Sequence, residues 1–235
     1  MNQKAALPSF EDTTSLPQRI WGLIYLPLHI VVLPLFLSML QFYVPGVLNE
    51  LTANVVYYGL GFLFCLILMW KYLRSAYDKL CDNKILNAAA FISAYVAYFI
   101  LSLVASLVLM AVMGDELLNP NNEAVDQLAQ NNARMVMALS VFLAPVVEEI
   151  LFRGVLFGSL RKKSRAAAYI VSILVFGFYH VWQYALVYMD WRLLIYAIQY
   201  IAPGYALCWL YERTSCIWLS IFMHMAINLT ALLLM

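Results

Sequence analysis

"APVVEEILFRGVLFGSL", residues 144 to 160, has the composition of a membrane helix, yet it sets Glu148, Glu149 and Arg153 among Val, Ile, Leu and Phe. Whether this stretch lies in hydrocarbon decides the fold. Of the 235 residues, 65% are hydrophobic and 11% are charged, and the mean hydropathy is +0.81. A soluble domain is about half apolar and about a quarter charged. The expected fold is therefore all-α, a polytopic membrane helix bundle. A formal net charge of +1 leaves no excess to recruit nucleic acid, and none is expected as a partner.

A bilayer core of about 30 Å takes about 20 apolar residues of helix. Seven stretches qualify, at roughly 20–44, 54–70, 85–113, 134–160, 166–189, 191–211 and 216–235. Pro203-Gly204 interrupts the sixth, leaving open whether 191–211 spans or re-enters. Basic residues in short loops set orientation. Lys4 and Arg19 precede the first span, Lys71, Arg74, Lys79 and Lys84 fill the second-to-third loop, "RKKSR" (Arg161 to Arg165) follows the fourth, and Arg213 follows the sixth. The other side holds "GDELLNPNNEAVDQLAQNNAR", rich in Asn and acid, with Arg134 and Arg192. The N-terminus is thus expected in the cytoplasm and, with seven full spans, the C-terminus outside. The organisation reads as a polar cytoplasmic tail (1–19), N-terminal transmembrane helices (20–133) and a core (134–235). The tail lacks the order of a cleaved signal peptide, so the first span is expected to serve as an uncleaved start-transfer segment. Cys65, Cys81, Cys208 and Cys216 form no CxxC pair, and disulfides are not expected.

A charge at the bilayer centre costs about 2.5 to 3.5 kcal/mol even on lenient scales, so three within six residues need partners. Glu149 and Arg153 are four apart on one helix face, acid first, the better orientation for an ion pair. Glu148 is left over, about 100° around the helix. Pro145, three residues upstream, removes a helix hydrogen bond and predicts a kink beside the unpaired acid. In "VFGFYHVW", His180 shares a face with Phe176, and Gly177 permits close backbone approach. In "IFMHMAINLTALLLM", His224 and Asn228 share a face. Each set alone also suits helix-to-helix hydrogen bonding. All three fall near mid-span, so together they can line one buried polar cavity. His29, in "YLPLHIVVLPL", has no polar companion at helical spacing and reads as a satisfied packing residue.

"EEILFR", "FGFYH" and "HMAIN" match Glu-Glu-x-x-x-Arg, Phe-x-x-x-His and His-x-x-x-Asn motifs in that order over roughly residues 135 to 232. The chain resembles the CPBP family of intramembrane proteases, also called the Abi or CAAX-protease family. It includes type II CAAX prenyl endopeptidases and bacterial proteins linked to bacteriocin processing and self-immunity. The resemblance implies Glu148 as the base that activates water, His180 holding that water and moving its proton, and His224 with Asn228 stabilising the oxyanion. Glu149 and Arg153 match supporting positions. The implied partners are the lipid bilayer and a membrane peptide or protein tail, prenylated or of bacteriocin type. By analogy the short chain suggests a bacterial cell membrane, where prenylated substrates are not expected.

The chemistry is coherent without the name. A carboxylate stripped of its hydration is a better base for water than a solvated one, and Asn is a neutral donor for the charge that develops on the oxyanion. The family has been described as metal-dependent, and Glu148, His180 and His224 form a His₂Glu set of the catalytic zinc type. Against zinc, Glu149, the spare acid that would support a ligating His, is expected to be committed to Arg153. No cofactor is therefore favoured, with Zn as the alternative. Two other classes remain: a non-catalytic immunity or regulatory protein binding through the same cavity, and a proton-coupled transporter, which the absence of an inverted repeat disfavours.

Overall fold

The computed structural model describes residues 10–114 and 119–234, and among them every regular element is helical. The helices are α1 (Leu16–Tyr43) and α2 (Glu50–Leu68), α3 (Trp70–Cys81), and then α4 (Lys84–Met113), α5 (Pro120–Arg161), α6 (Arg165–Val187), α7 (Trp191–Thr214) and α8 (Ile217–Leu234). All but α3 are long and apolar enough to cross a membrane, so the protein is an integral membrane helix bundle with the seven expected spans. Their starts are written locally. Ser15 and Gln18 form a capping box, the Asn49 side chain accepts from Thr52 N–H, and Ser164 accepts from Ala167 N–H, each satisfying an orphan donor of a first turn. On α4, Ile92, Val96, Ile100 and Leu103 are exposed, as lipid-facing residues should be.

The sixth stretch is one uninterrupted helix with the length of a span. It runs as a 3₁₀ segment over Trp191–Tyr200 and as an α-helix from Ile201. Pro203 therefore falls in the first α-turn, where its missing N–H does least harm.

Two stretches read as loops are helical instead. Trp70–Cys81 carries Lys71, Arg74 and Lys79 but also a face that buries Tyr72, Leu73 and Ala76. Amphipathic spacing at the end of the bundle makes a helix of what charge alone marks as loop. The Asn-rich segment becomes helical from Pro120 and continues into the fourth span after a break at Asn132 (φ −144°, ψ 46°). Asp115 and Glu116 of that segment, and Lys4 of the tail, lie outside the described residues.

Phe10 to Ser15 straps the end of the bundle that carries the basic loops. Phe10 packs edge-on against Phe157 (5.9 Å) and Tyr211 (5.3 Å). The buried Asp12 carboxylate pairs with Arg19 and Lys162, each at 3.0 Å.

Prolines shape two spans in the same way. In α1 the helix widens to π-type turns over Leu28–Val32, and Leu33 N–H reaches back to Leu28 O. In α5 it widens over Ala138–Leu143, and Ala144 N–H reaches Leu139 O. The next residue in each case is proline, Pro34 or Pro145, whose ring clashes with the carbonyl four residues back unless the turn opens. By the same register the carbonyls of His29 and Ser140 lose their donors, since proline has no N–H. Both are rescued from another helix. Tyr57 Oη donates to His29 O at 2.9 Å, and Asn228 Nδ2 donates to Ser140 O at 2.8 Å. The kink expected at Pro145 takes this widened form.

Candidate active site

Glu148, His180, His224 and Asn228 all line one cavity of about 430 Å³. Depth along the sequence places them at one level, and close helix contacts bring them together. On α6, a Cβ at Gly177 would sit 3.1 Å from the Ala197 carbonyl oxygen. That approach seats the 3₁₀ segment of α7 against α6, and Tyr200 stacks on the His180 ring at 4.1 Å. On α2, a Cβ at Gly61 would meet Val147 at 2.8 Å, and one turn earlier Tyr58 reaches Glu148.

The two oxygens of Glu148 face different neighbours. Oε1 accepts from Tyr58 Oη at 3.3 Å and from Tyr179 Oη at 3.4 Å. Oε2 lies 3.9 Å from His180 Nε2 and 3.8 Å from His224 Nε2, with no hydrogen-bond partner among the described residues. Both imidazoles are held from behind. His180 Nδ1 donates to Phe176 O at 2.8 Å, and His224 Nδ1 donates to Glu149 Oε1 at 2.8 Å. Fixing the proton on Nδ1 turns each Nε2, with its lone pair, toward the carboxylate.

Glu149 and Arg153 lie fully buried beside the cavity and do not line it. Arg153 Nη1 donates to Glu149 Oε1 at 2.8 Å, the pair expected from the spacing. The guanidinium also lies 4.3 Å over the Phe176 ring and reaches Gly204 O at 3.5 Å. Glu149 is thus not committed to Arg153 alone: one oxygen serves both Arg153 and His224. Asn228 likewise has a second duty. One of its amide hydrogens is spent on Ser140 O, leaving the other for the cavity.

Tyr58, Tyr179 and Tyr200 escaped sequence reading. Tyr179 stands inside "FGFYH" and was legible as a neighbour of His180, but hydroxyls aimed across helices leave no periodic signal. His29 is fully buried as expected, yet not satisfied as expected. Neither ring nitrogen has a hydrogen-bond partner among the described residues, and the ring is held by stacking on Tyr57 at 4.4 Å and Tyr179 at 5.8 Å.

The donor types of Glu148, His180 and His224 suit zinc, and the contact of Glu149 with His224 is the kind of support a zinc-bound His receives. That contact removes the argument from a committed Glu149. The geometry fits less well. Ligand atoms about 2.0 Å from a tetrahedral zinc lie about 3.3 Å apart, whereas the carboxylate oxygen stands 3.8 and 3.9 Å from the two nitrogens. Among the described residues no group of three or more His, Cys, Asp or Glu side chains forms a metal cage.

Residues 130–230 match the family model described as "Type II CAAX prenyl endopeptidase Rce1-like". The chain is also 27% identical over 186 residues, covering 77% of this chain and 71% of the relative, to a Bacillus subtilis (strain 168) protein named "Putative membrane peptidase YdiL". No solved structure matches. Both matches agree with the CPBP resemblance read from the three motifs.

Proposed function

With the CPBP resemblance of residues 130–230 as premise, we propose that the protein is an intramembrane endopeptidase that hydrolyses a peptide bond of a membrane-associated peptide or protein tail with water activated by Glu148. One observation carries the reading. A buried carboxylate oxygen with no partner among the described residues faces two imidazole nitrogens at nearly equal distance inside a cavity. A water placed between them gives one proton to Glu148 Oε2 while His180 Nε2 accepts its other hydrogen.

The water oxygen attacks the carbonyl carbon, and the C=O electrons move onto the oxygen. His224, having taken a proton from solvent at Nε2 before the attack and keeping it throughout, donates to that oxyanion, with the Glu149 carboxylate behind its Nδ1–H and Arg153 balancing Glu149. The free amide hydrogen of Asn228 is the second donor. Glu148 then returns its proton to the amine as the C–N bond breaks, leaving a carboxylic acid and an amine. Tyr58 and Tyr179 hold Oε1, so that Oε2 is the oxygen presented to water. Serine and cysteine take no part.

The test is cleavage of a library of membrane-proximal peptides by detergent-purified protein, read by mass spectrometry, with and without a chelator. Glu148→Gln should lower kcat at least about a thousandfold, a loss of about 4 kcal/mol of transition-state stabilisation. Chelator should leave the rate unchanged; chelator-sensitive cleavage would return the histidines and Glu148 to a metal. Peptide capture without cleavage, unaltered in Glu148→Gln, would identify a binding protein instead.

A further inference from the structure

We infer that the substrate reaches this site from the extracytoplasmic face, as an internal polypeptide segment with neutral or cationic side chains around the scissile bond; calling it a substrate rests on the peptidase reading above. The cavity has a direction. From Glu148 and the two histidines its lining runs to Glu50 at the start of α2, Asn122 near the start of α5 and Ala231 near the end of α8, all three exposed. These residues sit at the end of the bundle where the Asn-rich segment lies.

The other end carries the basic loops and is shut. There the strap seats Phe10 against Phe157 and Tyr211, and Tyr72 Oη is 2.9 Å from Tyr211 Oη. The buried Arg153–Glu149 pair lies beside the cavity and outside its lining. A second hollow at that end, about 170 Å³ and lined by Glu11, Lys79 and Arg213 among others, includes no residue of the site. Lys and Arg of short loops mark the cytoplasmic side, so the open end faces away from the cytoplasm.

The lining also has a sign. Among the described residues it contains two carboxylates, Glu50 at the mouth and Glu148 within, and neither Lys nor Arg; Asn, Ser, Tyr and Gln supply the other polar groups apart from the histidines. An acidic segment would bring like charge toward Glu50, and a terminal carboxylate would find no Lys or Arg among the described lining residues to hold it. A cationic flank meets Glu50 instead. The peptide bond presented to Glu148 is therefore an internal one.

Thiol labelling tests both parts without requiring hydrolysis. Cys81, exposed at the basic end, is a native marker of that face, while Cys65, Cys208 and Cys216 are buried. In intact bacterial cells expressing Asn122→Cys, a membrane-impermeant maleimide should label position 122, and Cys81 only after the membrane is disrupted. Labelling of Cys81 but not position 122 in intact cells would overturn the sidedness. In detergent, a Lys-flanked peptide should slow labelling of Asn122→Cys several-fold more than a Glu-flanked peptide of the same core, and Glu50→Lys should erase the difference. Equal protection by the two peptides, including none, would overturn the charge preference. Failure of the peptidase reading appears separately, as absent cleavage with the labelling pattern intact.

Discussion

Two turns of this bundle are built alike and do different work. Before Pro34 in α1 and before Pro145 in α5 the helix widens, one carbonyl loses its donor, and a side chain from another helix replaces it: Tyr57 on His29 O and Asn228 on Ser140 O. Beyond Pro34 the rest of α1 carries no charged residue, and His29 beneath the turn is walled by aromatic rings. Beyond Pro145 come two carboxylates and an arginine, and the rescuing Asn228 lies one turn beyond His224. A proline-opened turn is therefore a means of pulling in a polar side chain, and the residues of the next turns decide whether a site results. The two turns are also joined, because Tyr57 Oη lies 3.2 Å from Tyr179 Oη, and Tyr179 reaches Glu148.

The widest separation between the turns should come from the charge pair found after only one of them. Arg153→Met leaves the Glu149 carboxylate buried with the His224 Nδ1–H but without its guanidinium, and breaking a buried ion pair costs about 3 to 5 kcal/mol. Thermal unfolding in detergent, followed by tryptophan fluorescence, should show this loss. Adding Glu149→Gln should recover most of it, since the orphaned charge is then gone. A single variant as stable as the wild type would mean that water reaches the pair.

Next in size is the contrast between the rescuers. Tyr57→Phe and Asn228→Ala each orphan a carbonyl, so each should lose about 1 to 2 kcal/mol of stability. Only Asn228→Ala should also lower kcat, by about a hundredfold if its second amide hydrogen serves the oxyanion. Restoring an N–H sharpens the comparison: Pro145→Ala should reduce the stability cost of Asn228→Ala and leave its kcat defect in place. Equal kcat losses in Tyr57→Phe and Asn228→Ala would make Asn228 a carbonyl cap alone.

A smaller effect is expected where the first turn touches the site. Tyr58→Phe removes one donor from Glu148 Oε1 and leaves Tyr179 in place. A loss of about tenfold in kcat with KM unchanged is expected, the size of one neutral hydrogen bond. A rise in KM alone would place Tyr58 in substrate binding.

The parts of this arrangement that were legible in sequence are those with a period or a length. Apolar runs gave seven spans, the i to i+4 spacing gave the Glu149–Arg153 pair, and mid-span depth brought Glu148, His180, His224 and Asn228 to one level. Contacts between helices were not legible. Nothing in α2 distinguishes Tyr58 from Tyr57 until Gly61 is seen against Val147. The shared use of Glu149 Oε1 by Arg153 and His224 depends on α8 lying beside α5. Charge density misled at Trp70–Cys81, where Lys and Arg drew attention from Tyr72, Leu73 and Ala76 on the opposite face.

The smallest expected effect tests whether the two turns are separate. His29 carries two ring nitrogens buried without partners among the described residues, a cost of about 1 to 3 kcal/mol per unsatisfied group in general. Its ring, however, fills a stack with Tyr57 and Tyr179, and Phe is slightly larger. His29→Phe therefore trades relief of desolvation against overpacking, and the stability change should stay within about 1 kcal/mol of either sign. Because the ring touches Tyr57 and Tyr179 only through their faces, the hydroxyls that lead to Glu148 should keep their places and kcat should be unchanged. A tenfold fall in kcat with stability intact would show that the stack sets the angle of Tyr179. The turn at Pro34 would then belong to the catalytic apparatus as much as the turn at Pro145.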